Sequence, residues 1–152
     1  MVVGAQLLIR TVEAICAGNI KGTPQSELMP ADGILKSAPK IFKDDCRIDW
    51  NAKPATIINQ IRGLSPYPAA FSNLRKDNEE PLPMKIFSGK YESCAHNQPF
   101  GKVATDGKSY LKVYVGGGTI ALGDVQLAGK KRTPVADFLR GFKTEGCELR
   151  FL

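Results

Sequence analysis

The sequence predicts an α+β, mainly β protein: a small antiparallel barrel with flanking helices, preceded by an isolated helix and an extended linker. Three observations carry this. An apolar stripe at helical spacing opens the chain and gives way to a proline-bearing stretch with no sustained period. After Phe71, short runs rich in β-branched and aromatic residues follow one another between glycine-rich corners. Finally, 152 residues with 43% apolar content support one ordinary core with room for an appended segment.

The first element is "MVVGAQLLIRTVEAICAGN", where Ala5, Leu8, Val12 and Ile15 fall on one helical face and Gly18-Asn19 makes a good stop. No Ser, Thr, Asp or Asn stands before its first turn, and its apolar stripe needs a surface to cover. Both points suggest a chain that starts inside a larger protein. A signal peptide is disfavoured because a basic start is lacking and Arg10 and Glu13 interrupt the apolar run. No stretch approaches the ~20 apolar residues of a membrane span. From Lys21 to about Arg47 the sequence reads as a linker, with Pro24, Pro30 and Pro39 breaking any period. Its last part, "APKIFKDDCRIDW", mixes Lys40, Lys43 and Arg47 with Asp44, Asp45 and Asp49 and closes on Trp50. That pattern fits an extended strap anchored by aromatic and aliphatic residues.

A second helix follows in "NAKPATIINQIRG", with Asn51 as its N-cap, Pro54 in the first turn, an apolar side of Ile57, Ile58, Ile61 and Leu64, and Gly63 near its end. In "IRGLSPYPAAF", Pro66 and Pro68 then force an extended path, and Tyr67, Ala70 and Phe71 dock it on the core that follows. Strands are expected over Met84 to Tyr91 and Lys108 to Val115, the latter with Leu111, Val113 and Val115 alternating against Tyr110, Lys112 and Tyr114. Asp106-Gly107 signals a hairpin between two such runs. After a turn at Gly116 to Gly118, "TIALGDVQLAG" supplies another strand, bent at Gly123. Such strands close best as a barrel, because closure removes exposed edges. Thr133-Pro134 then caps a short helix carrying Val135, Phe138, Leu139 and Phe142, which plugs or flanks the barrel.

Catalytic signals are weak. The single histidine, His96, has only Cys94 nearby, and C-x-H spacing carries almost no specificity, so an ordinary surface histidine is the better reading. The "VGGGT" glycines lie between two strands, where a tight turn fits better than a phosphate loop. Asp44 and Asp45 stand beside Lys43 and Arg47, where solvated ion pairing is the ordinary outcome. The four cysteines, Cys16, Cys46, Cys94 and Cys147, have neither zinc-site pairs nor the spacing of a disulfide scaffold and read as reduced thiols of a cytoplasmic protein. No metal site is expected.

The basic residues say more. The chain carries a formal net charge of +6, and "GKKRTPVADFLRGFK" holds Lys130, Lys131, Arg132, Arg140 and Lys143 against Asp137 alone. A solvated rim around a helix start and a contact with an RNA backbone both fit. The RNA reading gains because cations at a helix start oppose its dipole, so local helix stability does not account for Lys130 to Arg132.

"APKIFKDDCRIDW", "IRGLSPYPAAF", "QLAGKKR" and "ADFLRG" stand in the order and near the spacing of the C-terminal portion of the methionyl-tRNA formyltransferase family, which the chain resembles over nearly its whole length. The resemblance implies that residues 1–20 are the last helix of an N-terminal catalytic domain, that 21–48 form an interdomain linker, and that 49–152 form an OB-like tRNA-binding barrel. It implies a parent enzyme that transfers formyl from 10-formyltetrahydrofolate to the amino group of initiator methionyl-tRNA. The family's N-x-H motif, its S-L-L-P-x-x-R-G stretch and its catalytic Asp have no counterpart here, so this chain alone should be inactive, with the missing catalytic domain as its partner in cis. Ser37 and Tyr67 depart from a frequent Tyr and Trp. The residues expected to meet tRNA are Lys40, Lys43, Arg47, Arg62, Lys130, Lys131, Arg132 and Arg140. The same barrel in folate-dependent formyltransferases acting on sugar nucleotides or small molecules is the alternative, which the basic "LAGKKR" run suits less well.

Overall fold

In the computed structural model, which describes residues 2–30, 33, 35, 37–144 and 146–152, the other positions include the first residue of the expected helix and part of the expected linker. The chain divides into two units, Met1–Pro39 and Lys40–Leu152. In the first, helix α1 (Val2–Cys16) forms where the apolar spacing predicts it. A Schellman closure ends it: Gly18, at φ 67°, donates to the Ile15 carbonyl at 3.0 Å, and Asn19 to that of Ala14 at 3.0 Å. No residue of α1 is buried, Leu8, Val12 and Ile15 included. A single 3-10 turn, Gln25–Leu28, follows.

The second unit is the barrel. Helix α2 (Pro54–Leu64) buries Ile57, Ile61 and Leu64. Asn51 is not its N-cap: the backbone and side-chain nitrogens of Asn51 both donate to the Asp49 carboxylate, at 2.9 and 3.0 Å, and the helix begins only at Pro54. Gly63 lies inside the last turn, and Ser65 takes the extended conformation that ends it. After the Pro66-Tyr67-Pro68 corner, the Ala69 N–H returns to the Leu64 carbonyl at 2.9 Å.

Among the described residues nine strands follow: β1 (Ala70–Lys76), β2 (Leu82–Ile86), β3 (Gly89–Ser93), β4 (Val103–Thr105), β5 (Leu111–Val115), β6 (Gly118–Leu122), β7 (Asp124–Leu127), β8 (Thr133–Pro134) and β9 (Leu149–Phe151). Helix α3 (Val135–Gly141) stands between the last two and buries Val135 and Leu139. The strands form two antiparallel sheets, in the orders β8-β7-β2-β1-β9 and β3-β6-β5-β4. Where one strand is expected from Met84 to Tyr91, the chain turns from one sheet to the other at Phe87-Ser88. Its neighbour turns with it at Gly123. Phe87 donates to the Asp124 carbonyl at 2.9 Å and Gly123 to that of Ser88 at 3.0 Å, so the pair of strands stays bonded through the bend. On the opposite side, Lys102 bridges Arg150 and the Phe151 N–H reaches the Gly101 carbonyl at 2.8 Å. These two seams close the sheets into a small barrel.

The core fills from the alternation read in the sequence: Leu111, Val113 and Val115 are buried while Lys112 and Tyr114 are half-buried. Strand β5 starts later than expected, because the Asp106 carboxylate accepts from the N–H groups of Lys108, Ser109 and Tyr110 at 2.9, 2.7 and 3.2 Å. Those donors are taken from the ladder and the hairpin becomes a longer loop. Trp50 is buried against Phe151, ring centroids 5.3 Å apart. Residues 40–48, at the end of the expected linker, contribute Cys46 and Ile48 to this core.

The seam and the loop can each be tested by one substitution. Gly101 lies at φ 82°, and a Cβ there would stand 2.6 Å from the Phe151 carbonyl oxygen. Left-handed backbone plus a clash with main chain should make Gly101→Ala cost about 2–4 kcal/mol of unfolding free energy. Urea denaturation reads this, and a near-neutral variant would show that the seam yields. At Asp106, the Ser109 hydroxyl, followed by the backbone donors of Ser109 and Lys108, holds the carboxyl well below its usual range. A depressed folded value means stability that is present above the unfolded carboxylate value of about 3.9 and is lost as pH falls through the folded one. The stability gap between wild type and Asp106→Asn should therefore stay flat from neutral pH down to about 5 and narrow below about 4. A gap that widens in acid would contradict this role.

Candidate nucleic-acid interface

The strap from Lys40 to Ile48 is fixed to the barrel by its backbone. Ile48 donates to the Phe71 carbonyl at 2.9 Å, and Arg47 pairs with Phe71 as a parallel bridge, so the strap runs beside β1. From α2, the Gln60 amide donates to the carbonyls of Asp45 and Arg47, both at 3.0 Å. Inside the strap, the Asp45 carboxylate accepts the Phe42 N–H at 2.7 Å and opens the 3-10 turn Asp44–Cys46. Asp45 thus has a structural task.

A groove of about 830 Å³ lies between the strap, the proline corner and the face of β1, β2 and β7. Lys43 and Arg47 line it from the strap, Lys85 from β2, and Gly129 from the turn after β7. That turn is held by the Lys130 N–H on the Leu127 carbonyl at 3.0 Å and by the Gln126 amide on the Lys130 carbonyl at 2.8 Å. The fold thereby brings the strap cations, Lys85 and the Gly129 turn to one groove, although they are far apart in sequence; Lys130 and Lys131 follow that turn and do not line the groove. Lys85 is not among the residues expected from sequence; its signal is the alternation between buried Met84 and Ile86.

The remaining basic residues are placed differently. Arg132 is engaged: its Nε and Nη2 donate to the Asp124 carboxylate at 3.1 and 2.5 Å, and its guanidinium lies 4.4 Å from the Phe87 ring centre. An ion pair and a stacked ring, not a helix terminus, account for a cation at that position. Arg140 pairs with Asp137 at 2.6 Å across one helical turn and lines a separate cavity of about 620 Å³ with Lys108 and Lys143. Arg62 donates to the Asn59 side chain at 3.1 Å on α2. Lys40 sits over the Phe42 ring at 5.4 Å.

His96 has a structural explanation. Its Nε2 donates to the Val115 and Gly118 carbonyls at 2.8 and 2.9 Å, and its Nδ1 accepts the Gln98 N–H at 3.2 Å. Nε2 thus holds the β5–β6 turn and Nδ1 the loop that carries His96 itself, with the ring 4.7 Å from that of Tyr114. Activating Cys94 would require giving up one of these bonds. The Gly116-Gly117 stretch is a tight hairpin turn, as its position between strands implies. Among the described residues, no group of three or more His, Cys, Asp or Glu is arranged to hold a metal ion, and no helix is long and apolar enough to cross a membrane.

Compared with known proteins, residues 40–143 match the family described as formyl transferase, C-terminal domain. The chain is 44% identical over 143 residues to a methionyl-tRNA formyltransferase of Parabacteroides distasonis, an alignment covering 94% of this chain and 44% of that protein. It is 46% identical over 143 residues to the methionyl-tRNA formyltransferase of Bacteroides thetaiotaomicron, with the same coverage. Against that of Porphyromonas gingivalis it is 37% identical over 141 residues, covering 91% of this chain and 43% of that protein. The chain therefore spans less than half the length of the curated relatives it matches. The family match covers most of the chain, including the strap, strands β1 to β8 and α3, and on that extent the chain belongs to the formyl transferase C-terminal domain family.

Proposed function

We propose that this chain is the tRNA-handling C-terminal part of a methionyl-tRNA formyltransferase. The observation that carries the reading is the 44–46% identity, over 94% of the chain, to relatives bearing that name. In it, residues 1–20 close a catalytic domain, the stretch after them connects, and an OB-like barrel with its strap grips the phosphate backbone of initiator methionyl-tRNA. The catalytic domain, in cis, would hold 10-formyltetrahydrofolate and supply the chemistry, in the cytoplasm. This chain's own work is binding and orientation: Lys43, Arg47 and Lys85 face the groove, and Lys130 and Lys131 follow directly on Gly129 at its edge. A basic groove of this kind favours RNA over the sugar nucleotide of the alternative reading, because a polyanion meets several of these cations at once.

Neutralised phosphates release counterions, so affinity for initiator tRNA should fall steeply as salt rises. Replacing Lys130 and Lys131 with Ala leaves the Arg132–Asp124 pair intact and should lower the slope of log affinity against log salt by about 0.7–0.9 for each phosphate no longer neutralised. Fluorescence titration of initiator tRNA across a salt series measures both effects. In the longer enzyme, turnover at saturating tRNA should change much less than the Michaelis constant, since these cations bind ground and transition states alike. Absence of tRNA binding at low salt would overturn the reading.

A further inference from the structure

We propose that Phe42 and Tyr67 form a stacking site for unpaired RNA bases at the rim of the basic groove. The inference rests on the RNA reading above and adds to it a subsite that reads bases where the cations read phosphates. Both rings line the same groove and both are exposed, Phe42 at 62% and Tyr67 at 85%. Rings this bare normally belong to mobile segments, yet both stand on held backbone. The Phe42 N–H is bonded to Asp45 and its carbonyl accepts the Cys46 thiol at 3.4 Å. Tyr67 stands between two prolines whose φ angles are locked, in a loop closed by the Ala69–Leu64 hydrogen bond. A ring presented by ordered backbone gives up little freedom when a flat partner settles on it.

Charge decides the occupant. Lys43, Arg47 and Lys85 line the groove against Asp44 alone among the described residues, and Lys40 lies over the Phe42 ring. Aromatic faces interleaved with cations along a groove are what a single strand requires: phosphates meet ammonium and guanidinium groups while successive bases stack on rings. A duplex keeps its base faces covered and could use only the cations. The groove is also of the size that holds a small flat molecule, about 830 Å³. The predicted occupant is thus an unpaired nucleotide of the bound RNA, with its base on Phe42 or Tyr67 and its phosphate towards Lys43, Arg47 or Lys85.

The test uses the whole 152-residue chain and two probes: initiator tRNA, and a short unstructured RNA carrying 2-aminopurine, whose fluorescence is quenched by stacking. Wild type should quench the short RNA. Phe42→Ala and Tyr67→Ala should each weaken binding between about fivefold and a hundredfold, with the salt slope unchanged because every phosphate keeps its cation. Tyr67→Phe and Phe42→Tyr should behave like wild type. The exposure of both rings implies unchanged melting temperatures, which separates a stacking defect from a folding defect. Wild-type affinity and quenching in both alanine variants, or a Tyr67→Phe variant as weak as Tyr67→Ala, would overturn the stacking site. Salt-dependent tRNA binding indifferent to the alanine variants would sink this inference alone. Quenching of the short RNA without any tRNA binding would preserve the stacking site and remove the reading it was built on.

Discussion

The barrel depends on how closely the chain can approach itself at Gly101. Its N–H donates to the Tyr114 carbonyl at 2.9 Å and its carbonyl accepts the Phe151 N–H at 2.8 Å, so one residue joins β5 to β9. A left-handed φ turns the two groups in different directions, and the missing Cβ lets the Phe151 backbone come within reach. At the opposite corner, Ser88 serves a similar end with its side chain: the hydroxyl accepts the Asp124 N–H at 2.9 Å beside the backbone bond from Gly123. Two sheets this short would otherwise expose edges that invite pairing with other chains.

Closure is also what gives the strap something to lie on. The Ser72 hydroxyl accepts from the Trp50 indole at 3.0 Å and donates to the Leu152 carbonyl at 2.7 Å, linking strap, first strand and chain end through one fully buried residue. A buried hydroxyl with both its roles filled adds no unsatisfied group to the core. Trp50 then covers Phe151, and Ile48 and Cys46 follow it into the interior. The cationic side of the strap faces outwards as a consequence of this anchoring. A segment that composition alone assigns to a linker becomes one wall of the groove, because its alternate residues are apolar and the barrel offers them a seat.

The parts of this architecture that obey a period were legible in the sequence: α1, α2, the alternation of β5, and the glycine turn after it. What escaped were side chains that compete with the regular pattern. Asp106 draws donors out of the strand that follows it, and Asp49 claims Asn51 before Asn51 can cap α2. The division of Met84 to Tyr91 into two strands depends on Ser88 meeting Gly123, a partner that no local window contains. The candidate interface shows the same limit. The strap and the Lys130 run were each visible as charge, but that the strap shares a groove with the Gly129 turn preceding that run is a product of strand order. Lys85 joins them by register alone.

The basic cluster illustrates how little a run of like charge says about roles. Lys130, Lys131 and Arg132 are adjacent, yet the arginine is committed: its planar fork meets one carboxylate through two nitrogens while its face lies on Phe87. A lysine could not do both at once, since an ammonium group offers neither a flat face nor a fixed pair of donors. Two exposed lysines on a glycine turn, by contrast, keep compact and strongly hydrated charges on flexible stems, a form suited to following phosphates whose positions vary. Arg132 holds the end of the hairpin in place, whereas the Lys130 and Lys131 side chains make no ion pair among the described residues. The same separation appears on the strap, where Asp45 and Cys46 hold the backbone and Lys43 and Arg47 face the groove. An interface built on this plan can change its lysines without unfolding. Loss of the residues that hold them would shift the positions of those charges before it altered their number.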